Sequence, residues 1–450
     1  MKRKLAALAA LAGVAGVYRS IRRPKPLRLH YARAPRKVVI VGGGFGGLAV
    51  LKGLVEELDG EPGVGVALLD RVNFATFWPM VPSAISGNVE VSHIAHSIRR
   101  RILPLGAEFF EEEATEVDFE AGQVKTTDGA FAYDYLVLTP GSRTAYFGTP
   151  GAREHSVDLK GLRDALRVRN RVIDSFEKAE RLRAETPDGL LTFVFVGGGP
   201  TGVEAAADTH DLIFDVLEGD YPNVDFDRVR LVIVDAADRI LQDIDPSLAH
   251  AAERRLASQR VEVINGVKVT EVSSDGVSLS DGREIPARTV VWAAGIEPGP
   301  LVAGLDVEKD QRGRILVDEY LRVKGRPGVY ALGDSVRMDY DGPPVPALAQ
   351  AAEQQGRVAA RNLAAEIRGE AEPVAFRYRP LGQLVDLGTE SALSDIMGVK
   401  LAGRLGGLIW KAVYFYELGY NLNRAHVFMD WIVDLLARPD TSKLYEDDEG

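Results

Sequence analysis

Two glycine clusters carry the clearest chemistry in the chain. Gly42-Gly43-Gly44-Phe45-Gly46-Gly47 and Gly197-Gly198-Gly199-Pro200-Thr201-Gly202 each follow a short apolar run, and each is followed by a second apolar run ending in an acid, Asp70 in one case and Asp235 in the other. In a strand, turn and helix unit of this kind the first glycine permits the tight turn. The second lets the backbone approach a pyrophosphate, and the third lets helix and strand pack closely. The helix start offers free N–H groups and a partial positive charge to phosphates. A carboxylate at the end of the next strand accepts hydrogen bonds from ribose hydroxyls. Gly42, Gly44, Gly47 and Asp70 therefore form one candidate dinucleotide site, and Gly197, Gly199, Gly202 and Asp235 form another. A single cluster of this type reads equally well as a glycine turn; the full unit appearing twice implies two nucleotides bound at once.

The elements that must position these residues follow from their flanks. Lys37-Val38-Val39-Ile40-Val41 is a β-branched run suited to a buried parallel strand, Leu48 to Leu51 opens a helical pattern, and Val64 to Leu69 reads as the next strand. Leu191 to Val196 and Leu231 to Val234 repeat the plan. A third run, Arg326 to Asp334, is a strand ending in Gly333-Asp334. It is either an ordinary Gly-Asp turn or, as it resembles in two-dinucleotide flavoproteins, the segment whose aspartate holds the ribityl chain of FAD. On the second reading the FAD domain is split, with an NADH domain inserted between its halves. Asp235 would repel a 2′-phosphate, so NADH is expected over NADPH, although a different loop path could bring Arg239 to a phosphate.

Composition narrows the field. With 450 residues, two to three domains are expected. The 54 basic and 65 acidic side chains leave a net charge of −11, which gives a nucleic-acid partner no electrostatic support. There is no cysteine, so redox disulfides, thiolate-ligated clusters and persulfide chemistry are excluded. The seven histidines form no metal-binding pattern, and no metal is expected; His93 and His96 share a helical face but suit a surface or core role. Electrons must then pass through a flavin alone.

From about Lys37 to Leu436 the chain resembles the type II NADH dehydrogenases, single-subunit, non-pumping NADH:quinone oxidoreductases of the two-dinucleotide-binding flavoprotein superfamily. The resemblance adds Asp70-Arg71-Val72-Asn73 with Phe77-Trp78-Pro79-Met80, similar to the family's flavin-flanking loop, and Asp164 to Arg171, similar to the helix opening its NADH domain. Its most specific part is Ala349-Gln350-Ala351-Ala352-Glu353-Gln354-Gln355-Gly356, which in the family begins a helix beside the isoalloxazine where quinone binds. Gln350 and Gln354, spaced i, i+4, would share one helical face and offer amide donors to quinone carbonyls. On spacing alone a solvated polar face is the better reading of them, and their position after Gly333-Asp334 turns it toward quinone binding. The resemblance gives Glu204 the task of placing the nicotinamide over the flavin, against the plainer role of complementing a helix dipole. It also makes Thr139-Pro140-Gly141 and Trp292-Ala293-Ala294-Gly295 two crossover turns, so Gly141 lies against FAD and Gly295 against NADH. The usual Ala-Thr-Gly and the usual glutamate at the second acid are both replaced here. The implied reaction is hydride transfer from NADH to FAD, then two electrons to a membrane quinone. Glu353 and Glu417 are candidate proton donors to it. Sulfide:quinone reduction needs cysteines that the chain lacks. A soluble reductase of a ferredoxin-like protein and a non-catalytic NADH-responsive flavoprotein remain as alternatives.

Access to a quinone requires a membrane surface. From Leu405, apolar residues recur at Leu408, Ile409, Ala412, Val413, Phe415, Tyr416 and Tyr420, accompanied by Trp410, Trp431, Lys411, Arg404 and Arg424. That pattern suits either a water–lipid interface or a helix packed into a core or a homodimer. At the other end, Lys2-Arg3-Lys4 precede an apolar run from Leu5 to Val17, short for a spanning helix and equally suited to a signal core. An uncleaved helix on the cytoplasmic face of the cell membrane keeps the chain with its NADH, so peripheral attachment there is expected. The fold class is thus α/β, with two Rossmann-like domains and a C-terminal amphipathic helical region for membrane binding. Expected boundaries are 1–36 for the extension and linker, 37–155 and 291–380 for the split FAD domain, 156–290 for the NADH domain, 381–438 for the membrane or dimer region and 439–450 for an acidic tail.

Overall fold

The computed structural model describes residues 25–443, apart from 339, 341–343, 371, 420, 437 and 438. The N-terminal basic and apolar run and most of the acidic tail lie outside the described residues. The architecture is α/β, built on two five-stranded parallel sheets. The first has the order Val329–Ala331, Tyr135–Leu138, Arg36–Val41, Val64–Asp70, Glu108–Glu111. The second has the order Val157–Asp158, Thr289–Trp292, Thr192–Val196, Arg230–Val234, Val261–Ile264. Strands such as Val38–Ile40 and Phe193–Phe195 are fully buried, as expected where helices cover both faces of a parallel sheet and the sequence is apolar without alternation.

The chain leaves the first sheet after Leu138, builds the second, and returns to complete the first with Val329–Ala331. Both crossings are tied by a short antiparallel ladder in which Ser142, Arg143 and Thr144 face Pro298, Glu297 and Ile296. Beyond the second crossing come the long helix Ala349–Arg368, an antiparallel sheet of Gly382–Asp386, Ala392–Ile396 and Val399–Leu401, and two helices, Arg404–Glu417 and Asn421–Leu436.

Helix Ala349–Arg368 crosses helix Phe45–Leu58, which starts at the first glycine cluster, in very close contact. The seam is made of small residues. A Cβ added at Gly356 would meet the Ala49 Cβ at 2.7 Å and the Gly46 carbonyl oxygen at 2.8 Å, and one added at Gly53 would meet the Ala360 Cβ at 2.8 Å. Gly356 therefore fixes the distance between the two helices. Gly356→Ala is expected to cost about 1–3 kcal/mol through overpacking, because one neighbour in its path is backbone. Urea denaturation of the variant against the parent measures this.

Candidate active site

Each glycine cluster forms its turn with the same contacts. Gly42 has φ +102 and Gly197 has φ +110, conformations that only glycine adopts without strain. A Cβ at Gly47 would lie 1.9 Å from the Gly42 carbonyl oxygen, and one at Gly202 would lie 1.9 Å from that of Gly197. By contrast, a Cβ at Gly44 or Gly199 would meet nothing within 4 Å. These two glycines cap the helices Phe45–Leu58 and Pro200–Asp211 with no side-chain hydrogen bond, so no capping side chain takes up the first-turn N–H groups. That is a cradle for a phosphate in each unit, and the residues present fit a dinucleotide at both.

The acids do more than wait for a ribose. Asp70 accepts the Gly43 N–H at 2.7 Å and the Val72 N–H at 3.1 Å. Asp235 accepts the Gly198 N–H and, at 2.7 Å, the Ala237 N–H. Each acid thus braces its own glycine loop and retains lone pairs for hydroxyls. Burial raises the Asp70 carboxyl above its ordinary range, and those backbone donors partly offset it. Arg71 is exposed beside Asp70. Arg239 is spent on the carbonyls of Leu241, Gln242 and Ile244.

The crossover turns converge on the same region. Thr139 Oγ1 donates to the Gly42 carbonyl at 3.2 Å, and a Cβ at Gly141, with φ +70, would meet nothing within 4 Å. Ser142 Oγ donates to Asp334 Oδ2 at 2.7 Å, while the N–H of Gly333 donates to the buried Gln355 Oε1 at 2.8 Å. At the second turn, a Cβ added at Gly295 would meet the exposed ring of Phe147 at 2.7 Å.

Gln350 and Gln354 share a face, as their spacing demands, and on that half-buried face both amides meet backbone. Gln354 accepts the Arg379 N–H at 3.0 Å and donates to the Arg379 carbonyl at 2.8 Å. Gln350 accepts the Leu381 N–H at 3.0 Å and donates to the Gly382 carbonyl at 2.8 Å. The two amides pair with an extended segment as a neighbouring strand would. Each NH2 group has two hydrogens, and one of them is used in this way.

Glu204 is buried on helix Pro200–Asp211 and accepts the Asp386 N–H at 3.0 Å. One turn on, Asp208 is also buried and accepts from Ser86 Oγ at 2.7 Å. Desolvation raises Glu204 to about 8, and the nearby Asp208 adds to the rise. Desolvation and then the like charge of Asp386 raise Asp208, and desolvation and then Glu204 raise Asp386. Asp208 and Asp386 were missed in the sequence, because a single Asp inside an apolar stretch carries no periodic signal. Of the two other candidate acids, Glu353 pairs with Arg357 at 4.0 Å. Partial desolvation and then the charge of Glu353 push Glu417 to about 7. His93 pairs with Asp430 at 2.7 Å and its ring lies tilted against that of His426 at 4.5 Å, and no group of three or more acids and histidines among the described residues could hold a metal.

Two parallel cores with a glycine cradle each, one completed by a Gly-Asp strand from beyond the other, define a flavoprotein oxidoreductase fold with two dinucleotide sites. The chain belongs to the pyridine nucleotide-disulphide oxidoreductase family, whose model matches residues 36–356, and groups within it with the type II NADH:quinone oxidoreductases. It is 30% identical over 426 residues to the type II NADH:quinone oxidoreductase Ndh of Mycobacterium tuberculosis, covering 90% of both chains. It is 30% identical to the internal alternative NAD(P)H-ubiquinone oxidoreductase A1 of Arabidopsis thaliana, covering 91% of this chain and 86% of that one. A 36% match to the external enzyme B1 of Solanum tuberosum covers 68% of this chain and spans 56% of that longer relative. The fold matches that of NDH2 from Plasmodium falciparum with a TM-score of 0.81 at 20% identity, over 90% of this chain and 99% of the other.

The buried carboxyls set a pH dependence. The fold holds the proton of Glu204 up to about pH 8, whereas the unfolded chain releases it near 4.5. The native state therefore binds more protons between those values, and stability falls as pH rises from about 4.5 to about 8 and then levels off. In urea titrations at about pH 5 and about pH 9, the parent should lose more stability than Glu204→Gln; equal losses would show that this proton is not linked to folding.

Proposed function

We propose that the chain oxidises NADH and reduces a membrane quinone without pumping protons, with FAD and NADH as its cofactors. The observation that carries this reading is the pairing of two complete phosphate cradles with the Gln350 and Gln354 helix start, in a chain whose relatives over most of its length bear NADH:quinone oxidoreductase names. FAD would be held by Gly42, Gly44, Gly47, Asp70, Arg71, Gly141, Gly333 and Asp334, and would supply the two-electron carrier between a hydride donor and a quinone. NADH would be held by Gly197, Gly199, Gly202, Asp235 and Gly295, and Glu204 would help to place its nicotinamide. Hydride transfer needs alignment and exclusion of water more than an acid or base. The chain supplies both through the rigid glycine loops and the buried Glu204 helix.

Gln350 and Gln354 fix the segment Arg379–Gly382 and offer their remaining amide hydrogens to quinone carbonyls. Protons for the quinone come from the neighbouring carboxyls Glu353 and Glu417 or from water. In rapid mixing, Gln354→Ala should slow flavin reoxidation by a short-chain quinone by about tenfold or more, while NADH bleaches the flavin at a rate within about twofold of the parent. Equal losses in both half-reactions would remove Gln354 from the acceptor side, and a parent protein whose flavin NADH cannot bleach would refute the function.

Membrane attachment through the C-terminal helices is part of this proposal. No helix among the described residues is long and apolar enough to cross a bilayer. Trp410 and Leu418 turn inward, whereas Leu405, Leu408, Tyr416, Leu422, Phe428, Met429, Val433, Leu435 and Leu436 are exposed. Arg404, Lys411 and Arg424 lie among them. An exposed apolar face edged with cations suits the cytoplasmic surface of an anionic membrane. A homodimer sharing this face is compatible with it. The double variant Leu408→Glu with Phe428→Glu should fail to sediment with anionic liposomes that carry down the parent; unchanged sedimentation would place the attachment elsewhere.

A further inference from the structure

Lys160 is a cation that the sequence did not single out. It lies between strand Val157–Asp158 and helix Leu162–Leu182, where the chain passes from one sheet to the other. Its backbone N–H is fixed by Asp164 Oδ2 at 2.9 Å. Its ammonium donates to Ser142 Oγ at 3.0 Å, and that hydroxyl donates onward to Asp334 Oδ2 at 2.7 Å. The ammonium also stands 5.4 Å from the ring centre of Trp78.

Three segments that border the candidate flavin site therefore meet at one side chain: the Gly141-Ser142 turn, the Gly333-Asp334 turn and the Trp78 loop. Both glycines have positive φ, +70 and +82, and a Cβ at Gly141 would enter open space. The lysine reaches Asp334 only through a hydroxyl, and its three N–H donors outnumber this one acceptor. Burial lowers its pKa, and Asp334 and Asp158 oppose that fall, so the ammonium persists in a poorly hydrated position. A charge held there without a direct carboxylate partner favours any negative charge that develops nearby.

We infer that Lys160 sets the reduction potential of the bound flavin, its ammonium stabilising the negative charge that the ring system gains when it accepts a hydride. This rests on the FAD reading above. Relayed through Ser142, the same charge holds Asp334 in place, so one side chain links the grip on the ribityl chain to the electronics of the ring.

The test uses the purified holoprotein and two readouts besides turnover. One is the flavin midpoint potential against a reference dye. The other is the dissociation constant for sulfite, which adds its sulfur lone pair to oxidised flavin N5 and leaves the ring anionic. Lys160→Met should shift the reduced-to-oxidised ratio at a fixed potential about tenfold toward oxidised, about 30 mV for a two-electron couple, and weaken sulfite binding by about tenfold or more. Lys160→Arg should stay within about threefold of the parent in both. Values for Lys160→Met within about twofold of the parent would overturn the inference. If that variant loses its flavin, Lys160→Gln is measured in its place; loss of flavin from both variants with the fold intact would make Lys160 a holding residue and equally overturn it. A parent that binds no FAD would instead sink the functional reading.

Discussion

The distance between helices Phe45–Leu58 and Ala349–Arg368 is the constraint on which the other features depend. One helix begins at the phosphate cradle of the first dinucleotide, and the other begins with Gln350 and Gln354. Their backbones approach so closely only because Gly46, Ala49 and Gly53 face Ala352, Gly356 and Ala360. Packing of this kind is stiff, since protein interiors have no slack to absorb an added methyl group. A cofactor whose pyrophosphate rests at one helix start is thereby held at a fixed offset from the other helix start. Precision at the proposed acceptor side would thus derive from two rows of small residues.

Much of this was legible in the residues themselves. The glycine clusters impose a turn that no other residue tolerates, and the apolar runs beside them are long enough for buried strands and no longer. The spacing of Asp70 and Asp235 points to ribose hydroxyls, and their hydrogen bonds to Gly43 and Gly198 add a bracing role that spacing cannot reveal. The aromatic C-terminal stretch was harder to read. Its apolar residues divide between inward Trp410 and outward Leu405 and Leu408, and hydropathy alone gives both groups the same sign. Lys160, Asp208 and Asp386 left no trace in the pattern, because each acts through partners far away in the chain: Ser142 and Asp334, Ser86, and Glu204.

The glutamines show why spacing and chemistry must be separated. An i, i+4 pair of amides predicts a shared face and nothing about what that face meets. Here it meets the backbone of Arg379–Gly382, whose N–H and C=O groups would otherwise lack partners on that side. The amides are therefore structural and available at once, since a carboxamide can pair with a strand and keep a hydrogen in reserve. A shorter or charged side chain could not do both.

The same segment continues past the glutamines and reaches the other half of the molecule. After Gly382 its strand brings the Asp386 N–H to Glu204, the Leu387 carbonyl to Gln259 and the Thr389 hydroxyl to Asp211. Residues 379–389 thus touch the helix that starts at the second phosphate cradle and the helix that starts at the proposed acceptor site. A strap fixed at both ends holds the proposed donor and acceptor sides in register. Its donor end rests on two carboxyls and an amide, Glu204, Asp211 and Gln259, while its acceptor end rests on the amides of Gln350 and Gln354. An ionised Glu204 accepts the Asp386 N–H more strongly than a neutral one, so loss of its proton changes the charge at the donor end of the strap without releasing it.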